Sequence, residues 1–259
     1  MGRKLFCDIS PTCYRIAVRK ETLRRNLTDA LRRSRFARTY SADPLPNIVQ
    51  SHCSILVRRL HGVDLQLQEN KVTNIALACA RINGLCVRPG EKEGLVIGRA
   101  GKLMSGVGGG LCQMANMIHW LVLNSPLTVT ELHHHTDALF PDERRRVPFG
   151  TGTSVVNNYV DYRFCNPTDQ TVQLLVWIAD GALCGELRSE SPFPYRYRLV
   201  EENHHFRKEG DRYYRISQVD RLVIDRATGA QVRRERVLDN HSLVMYDPAL
   251  IPPDQIRDD

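Results

Sequence analysis

Between residues 106 and 161 the chain gathers the side chain types that thiol chemistry requires. The run Gly106-Val107-Gly108-Gly109-Gly110-Leu111-Cys112-Gln113-Met114-Ala115-Asn116 leads glycines into a cysteine, and an apolar-periodic segment follows over residues 114–123. This pattern reads as a loop feeding a helix with Cys112 in the first turn. A helix N-terminus carries partial positive charge and unpaired N–H groups, and both favour a thiolate. The competing reading is a buried structural cysteine beside a tight turn, the commoner fate of a Gly-x-Cys run. His133 follows Cys112 by 21 residues within Glu131-Leu132-His133-His134-His135-Thr136-Asp137. On a strand, His133 and His135 share one face and His134 takes the other. An imidazole so placed takes the thiol proton and returns it to the leaving group. Gly109, Gly110, Gln113 and Asn116 are the candidate oxyanion and substrate-binding positions. A third polar group must orient the imidazole; Asp137, Asp161, Glu131 and Asn157 are available, and Asp161 is carried with Cys112, His133 and His135 as a catalytic candidate. The same residues permit a metal reading with Cys112, His133 and His135 as ligands, although adjacent histidines are not a usual zinc spacing. No cofactor motif is present, so none is expected. His119, seven residues after Cys112, lies two helical turns on and is expected to pack rather than act as base.

The elements that must hold these groups follow from periodicity and turn residues. Residues 15–38 read as a basic helix, residues 66–82 as a second helix stopped by Asn83-Gly84, and residues 112–124 as a third stopped by Ser125-Pro126. Asp43-Pro44-Leu45-Pro46-Asn47 reads as a linker between helices. Strands are expected at 85–87, 94–98, 127–135, 153–164, 170–179 and 182–188. Turns fall at Asn166-Pro167-Thr168-Asp169 and Asp180-Gly181. After Ser191-Pro192-Phe193-Pro194, strands at 195–206, 213–225 and 230–238 form a β-rich extension. The expected fold is α+β: a cysteine-bearing helix packed on an antiparallel sheet, in a domain of residues 1–190, with the β-rich extension at 191–259.

The 259 residues, 42% hydrophobic and 25% charged, have an ordinary globular composition and can bury a core. The net charge of +7 is not spread evenly. Nine bases (Arg15, Arg19, Lys20, Arg24, Arg25, Arg32, Arg33, Arg35, Arg38) face two acids (Glu21, Asp29), so residues 15–38 carry the whole surplus. Such a helix either contacts an anionic surface peripherally or presents an ordinary solvated face. No nucleic-acid fingerprint accompanies it, and no nucleic-acid partner is expected. The eight cysteines contain no C-x-x-C pair. Charged residues interrupt the start before an apolar run develops, and no stretch approaches a membrane span. The expectation is a soluble cytoplasmic protein with reduced thiols.

A longer set of motifs resembles a known family. Gly108-Gly109-Gly110-Leu111-Cys112-Gln113-Met114-Ala115-Asn116, the run Ser125-Pro126-Leu127-Thr128-Val129-Thr130-Glu131-Leu132-His133-His134-His135-Thr136-Asp137-Ala138-Leu139, Arg146-Val147-Pro148-Phe149, Gly152-Thr153-Ser154-Val155 and Asp161-Tyr162-Arg163-Phe164 occur in the order seen in the VanW family. Phe6-Cys7-Asp8-Ile9-Ser10-Pro11-Thr12-Cys13-Tyr14 and Leu67-Gln68-Glu69-Asn70-Lys71 look like the same family, so the resemblance covers about residues 4–190. It implies a link to vancomycin resistance and cell-wall peptidoglycan. It also implies L,D-transpeptidase-like acyl transfer by Cys112 on a stem peptide or peptidoglycan precursor. The sequence departs from the family at two places. Pro89-Gly90-Glu91 passes through Lys92-Glu93 directly to Gly94-Leu95-Val96-Ile97, where the family has a longer segment. Gly152 stands where many members have aspartate. These departures keep a non-catalytic accessory or binding role as the alternative.

Overall fold

In the computed structural model, which describes residues 9–56, 65–95, 110–134, 137–138, 152–153, 155 and 161–257, Ser10 starts the first helix. Its hydroxyl accepts a hydrogen bond from the Cys13 amide at 3.1 Å, and Pro11 occupies the first turn, where a missing N–H costs nothing. Helix α1 spans Pro11–Leu31, earlier at both ends than the expected 15–38. The short strand β1 is Thr39–Tyr40. The Asp43–Asn47 breaker does not join two helices: it leads into a nine-residue strand, β2, Asn47–Ile55. Helix α2, Leu65–Ile82, matches its expected span. Next come β3 (Leu85–Val87), β4 (Lys92–Leu95) and helix α3 (Leu111–Leu123). Strands β5 (Thr128–Glu131), β6 (Asp137–Ala138), β7 (Tyr162–Cys165), β8 (Val172–Ala179) and β9 (Ala182–Ser189) follow. The extension forms β10 (Tyr195–Glu209), β11 (Arg212–Asp225), β12 (Gln231–Val244) and the short β13 (Ile256–Arg257).

The architecture is α+β, with three helices among the described residues and sheets that are mostly antiparallel. A five-stranded antiparallel sheet runs β1-β3-β8-β9-β2, and a three-stranded one runs β4-β7-β5. Turns at Asp180-Gly181 and Gly210 close the β8–β9 and β10–β11 hairpins, each Gly in the left-handed region its turn requires. The extension sheet runs β13-β10-β11-β12-β6, its two-residue edge strands pairing in parallel.

The core lies between the first sheet and the two helices that pack on it, α2 on β8 and α3 on β2 and β9. Leu111, Met114, Ala115, Met117, Ile118, Leu121, Val122 and Leu123 of α3 are all buried, so this helix is apolar over most of its circumference. Close approach depends on Gly185 of β9: a Cβ there would overlap Met117 Sδ. Leu123 and Trp120 at the far end of α3 pack with Leu199, Val219, Val237 and Leu238, which seats the extension against the same helix.

The thiols depart from expectation. Cys53 and Cys184 are directly opposed across β2 and β9 and form a disulfide. Such bonds persist in oxidising compartments and are rare in the cytosol, so the expectation of uniformly reduced thiols is corrected. No helix among the described residues is long and apolar enough to cross a membrane.

Candidate functional site

Gly110 adopts φ +94° at the N-cap of α3, a conformation in which an L side chain is strained. A Cβ at this position would also collide with the Lys71 stem, so Lys71 of α2 lies directly over the start of α3. Cys112 follows in the first turn. Its thiol is free and half-buried, packed against the edge of the main core. The other free thiols in the core are deeper: burial pushes Cys79 up to about 11 and also raises Cys86.

The residues flanking Cys112 are engaged in holding the helix. Gln113 donates its amide hydrogens to Ser54 Oγ at 3.0 Å and to the Ile55 carbonyl at 2.9 Å. That fixes the start of α3 to the end of β2, one residue from the Cys53–Cys184 disulfide. With both Nε2 hydrogens bonded to β2, Gln113 acts here as an anchor. Asn116 sits one turn after Cys112, and its Oδ1 accepts from the Thr153 amide at 2.6 Å. A side chain at Gly152 would meet the same Asn116 amide at ordinary contact distance. The position where family members carry aspartate is therefore beside the Cys112 face of α3. Gly109 and His135 lie outside the described residues.

Downstream, the structure assembles a cluster of charges from β5, β7 and α1. Glu131 and His133, two residues apart, meet through Glu131 Oε1 and His133 Nε2 at 2.8 Å. Glu131 also pairs with Arg25 of α1, lies 3.5 Å from Arg163 Nε, and accepts from the Asp161 amide at 3.2 Å. Asp161 is 1% exposed and pairs with Arg25 at 3.0 Å and Arg163 at 3.2 Å. Arg163 donates to both carboxylate oxygens of Asp29, at 2.7 and 2.9 Å. Of the two orienting candidates whose side chains are described, Glu131 is bonded to His133, and Asp161 instead joins Arg25 and Arg163; Asn157 and the Asp137 side chain lie outside the described set.

Burial opposes the charges of Glu131, Asp161 and Arg163, and pairing overcomes it at Glu131 and Arg163. Burial raises the Glu131 carboxyl, but hydrogen bonds from His133, Arg25 and the Asp161 amide together hold it below the usual range. For Asp161 burial wins: its pKa is raised although Arg25 and Arg163 oppose the shift. For Arg163, burial lowers the pKa, but the Asp29 and Asp161 carboxylates outweigh it and leave the guanidinium above its ordinary value.

His119 is fully buried in α3. Its Nδ1 lies 3.2 Å from the Tyr162 hydroxyl and its ring meets Tyr162 edge-on at 5.1 Å. It packs, as its spacing from Cys112 led us to expect. Among the described residues no group of three His, Cys, Asp or Glu side chains is placed to hold a metal ion; the metal reading also needs His135, outside that set. Sequence reading missed Lys71, and it missed Arg25, Asp29 and Arg163 as a docking network. A local signal existed for part of it: Glu131-x-His133 and Asp161-x-Arg163 are same-face pairs on neighbouring strands.

Residues 92–188 match the family described as "VanW like protein". The vancomycin B-type resistance protein VanW of Enterococcus faecalis (strain ATCC 700802 / V583) is 27% identical over 228 residues, 82% of each chain. That coverage exceeds what residues 4–190 can supply, so this likeness reaches into the β-rich extension. No solved structure matches the chain.

Proposed function

We propose that this chain, similar to the VanW family over residues 92–188 and to the Enterococcus faecalis VanW protein over 82% of its length, is a cysteine-dependent acyltransferase of peptidoglycan-related stem peptides, serving glycopeptide resistance. The observation that carries the proposal is the free, half-buried Cys112 in the first turn of α3, behind a glycine that only a left-handed turn explains. In the proposed reaction the Cys112 proton passes to a histidine of the 133–135 run. The thiolate then adds to the peptide carbonyl, and the C–N bond breaks as the histidine protonates the leaving amine. A thioester to Cys112 remains. An amine of a second stem, or water, attacks it, gives up its proton and restores the thiol. Within this scheme Glu131 orients His133 through the 2.8 Å hydrogen bond.

The test is exchange of a labelled amine into a synthetic L,D-linked stem peptide, read by mass spectrometry, with wild type and Cys112→Ala. The expected result is turnover in wild type, a thioester mass on the Cys112 peptide, and loss of both in the variant. Equal turnover in the two proteins refutes the reaction.

A second reading, a non-catalytic accessory protein, draws on the engagement of Gln113 and Asn116 in structural bonds and on Gly152 in place of aspartate. Alkylation rates separate the two. An activated Cys112 reacts with iodoacetamide well ahead of Cys13 and Cys165, the other half-buried free thiols, whereas in an accessory protein it reacts no faster than they do.

A further inference from the structure

Helix α1 is oriented opposite to an ordinary surface helix. Such a helix turns its apolar stripe to the protein and its charges to water. Here Arg25 and Asp29 face inward and are bonded to Glu131, Asp161 and Arg163. Four of its large apolar residues point away: Ile16, Leu23, Leu27 and Leu31 are 52%, 63%, 65% and 85% exposed. At 3.6 residues per turn these four fall within an arc of about 80°, roughly half a turn from the Arg25–Asp29 face. Arg19 borders the stripe on one side and Arg24 on the other, Lys20 lies within its arc, and all three are exposed. Arg32, Arg33, Arg35 and Arg38 continue the basic surface past the end of the helix. Apart from the inward Asp29, Glu21 is the only acid on α1, and it sits between Lys20 and Arg24, 3.4 and 3.3 Å from them.

We propose that the outward face of α1 docks on an anionic lipid surface, lying in the plane of the interface. The leucine stripe enters the headgroup–acyl boundary, and the flanking arginines and Lys20 meet lipid phosphates, their stems snorkelling along the boundary. Charge complementarity selects lipid over an apolar protein groove: a protein partner that took the stripe would also have to bring acids to both of its edges, whereas an anionic bilayer offers them everywhere. The ion pairs on the inner face hold α1 rigidly enough to transmit that orientation to the body. Because Arg25 reaches Glu131, and Glu131 holds His133, the lipid-facing helix and the candidate site share one network. This docking stands independently of the acyl-transfer reading and is tested without any activity.

The experiment is co-sedimentation of the full chain with vesicles of phosphatidylcholine alone and of phosphatidylcholine with phosphatidylglycerol. Two variants accompany it, Leu23→Ser/Leu27→Ser/Leu31→Ser and Arg19→Gln/Arg24→Gln, all at exposed positions. Their circular dichroism and urea midpoints should match wild type, so a folding defect is separable. Expected are binding to anionic vesicles that weakens with salt, little to neutral ones, a loss of affinity of at least about tenfold in the serine variant, and about fivefold per arginine removed. Amide exchange of α1 should slow on the anionic vesicles. Equal binding to neutral and anionic vesicles, no binding to either, or full affinity in the serine variant overturns the proposal. Binding to duplex DNA that survives the serine substitutions, with no vesicle binding, would assign the basic face to nucleic acid instead and also overturn it.

Discussion

The acid stability of this protein should be governed in good part by one histidine that does no chemistry. His119 is fully buried in α3, the helix that carries Cys112, and burial, aided by the charge of His134, lowers its pKa to about 3 against 6.5 when exposed. The sign follows from proton counting. Above pH 6.5 neither state binds the proton and the group is silent. Below it the unfolded chain takes up a proton that the native chain refuses, so stability falls as pH drops from 6.5 towards 3. Between pH 7 and pH 5 the loss is about 2 kcal/mol, from 1.36 kcal/mol per pH unit over the part of the window crossed. The perturbation is His119→Phe, which removes the titrating ring and keeps a flat aromatic of similar size. It leaves the Tyr162 hydroxyl short of a partner, costing about 1–3 kcal/mol, but that cost is the same at each pH. Urea unfolding of both proteins at pH 7, 6 and 5 measures the difference. Wild type should lose about 2 kcal/mol more than the variant over this range. The carboxylates of the Arg25–Arg163 cluster titrate in both proteins and cancel in the comparison. Parallel pH profiles would refute the assignment of a buried neutral His119.

Two further outcomes follow from packing and cross-linking. Cys53 and Cys184 close a separation of 131 residues, for which chain entropy predicts stabilisation of about 5 kcal/mol at most. Dithiothreitol should therefore lower the urea midpoint, and alkylation after reduction should add two adducts; an unchanged midpoint with both adducts present removes the disulfide from the stability account. Gly185→Ala should cost about 1–3 kcal/mol through overlap with Met117, and Met117→Ala in the same chain should recover part of it; destabilisations that simply add would show that the two positions do not meet.

Where the chain's signals are local, the sequence alone determined the structure. The span of α2, the helix start at Cys112, the hairpins β8–β9 and β10–β11–β12 and their glycine turns all depend on periodicity and turn chemistry within a few residues. Ser10-Pro11 was an equally local start signal for α1, and reading it would have moved that boundary to its observed place. The family motifs were legible in the same way, as short ordered runs. Tertiary structure decided what those runs do to one another. Strand β2 is defined by pairing with β9, more than 120 residues later, so nothing beside the Asp43–Asn47 breaker announces it. The Cys53–Cys184 bond needs that register, since one residue of slip would point the sulfurs to opposite faces. Glu131 rather than Asp161 meets His133 because Arg25 and Arg163 claim Asp161, and Arg25 arrives from a helix 106 residues before Glu131. The same contact turns the leucines of α1 outward. Amphipathic spacing shows that a helix has two faces; which face meets the protein depends on the charges waiting there, and those are brought together only by the fold.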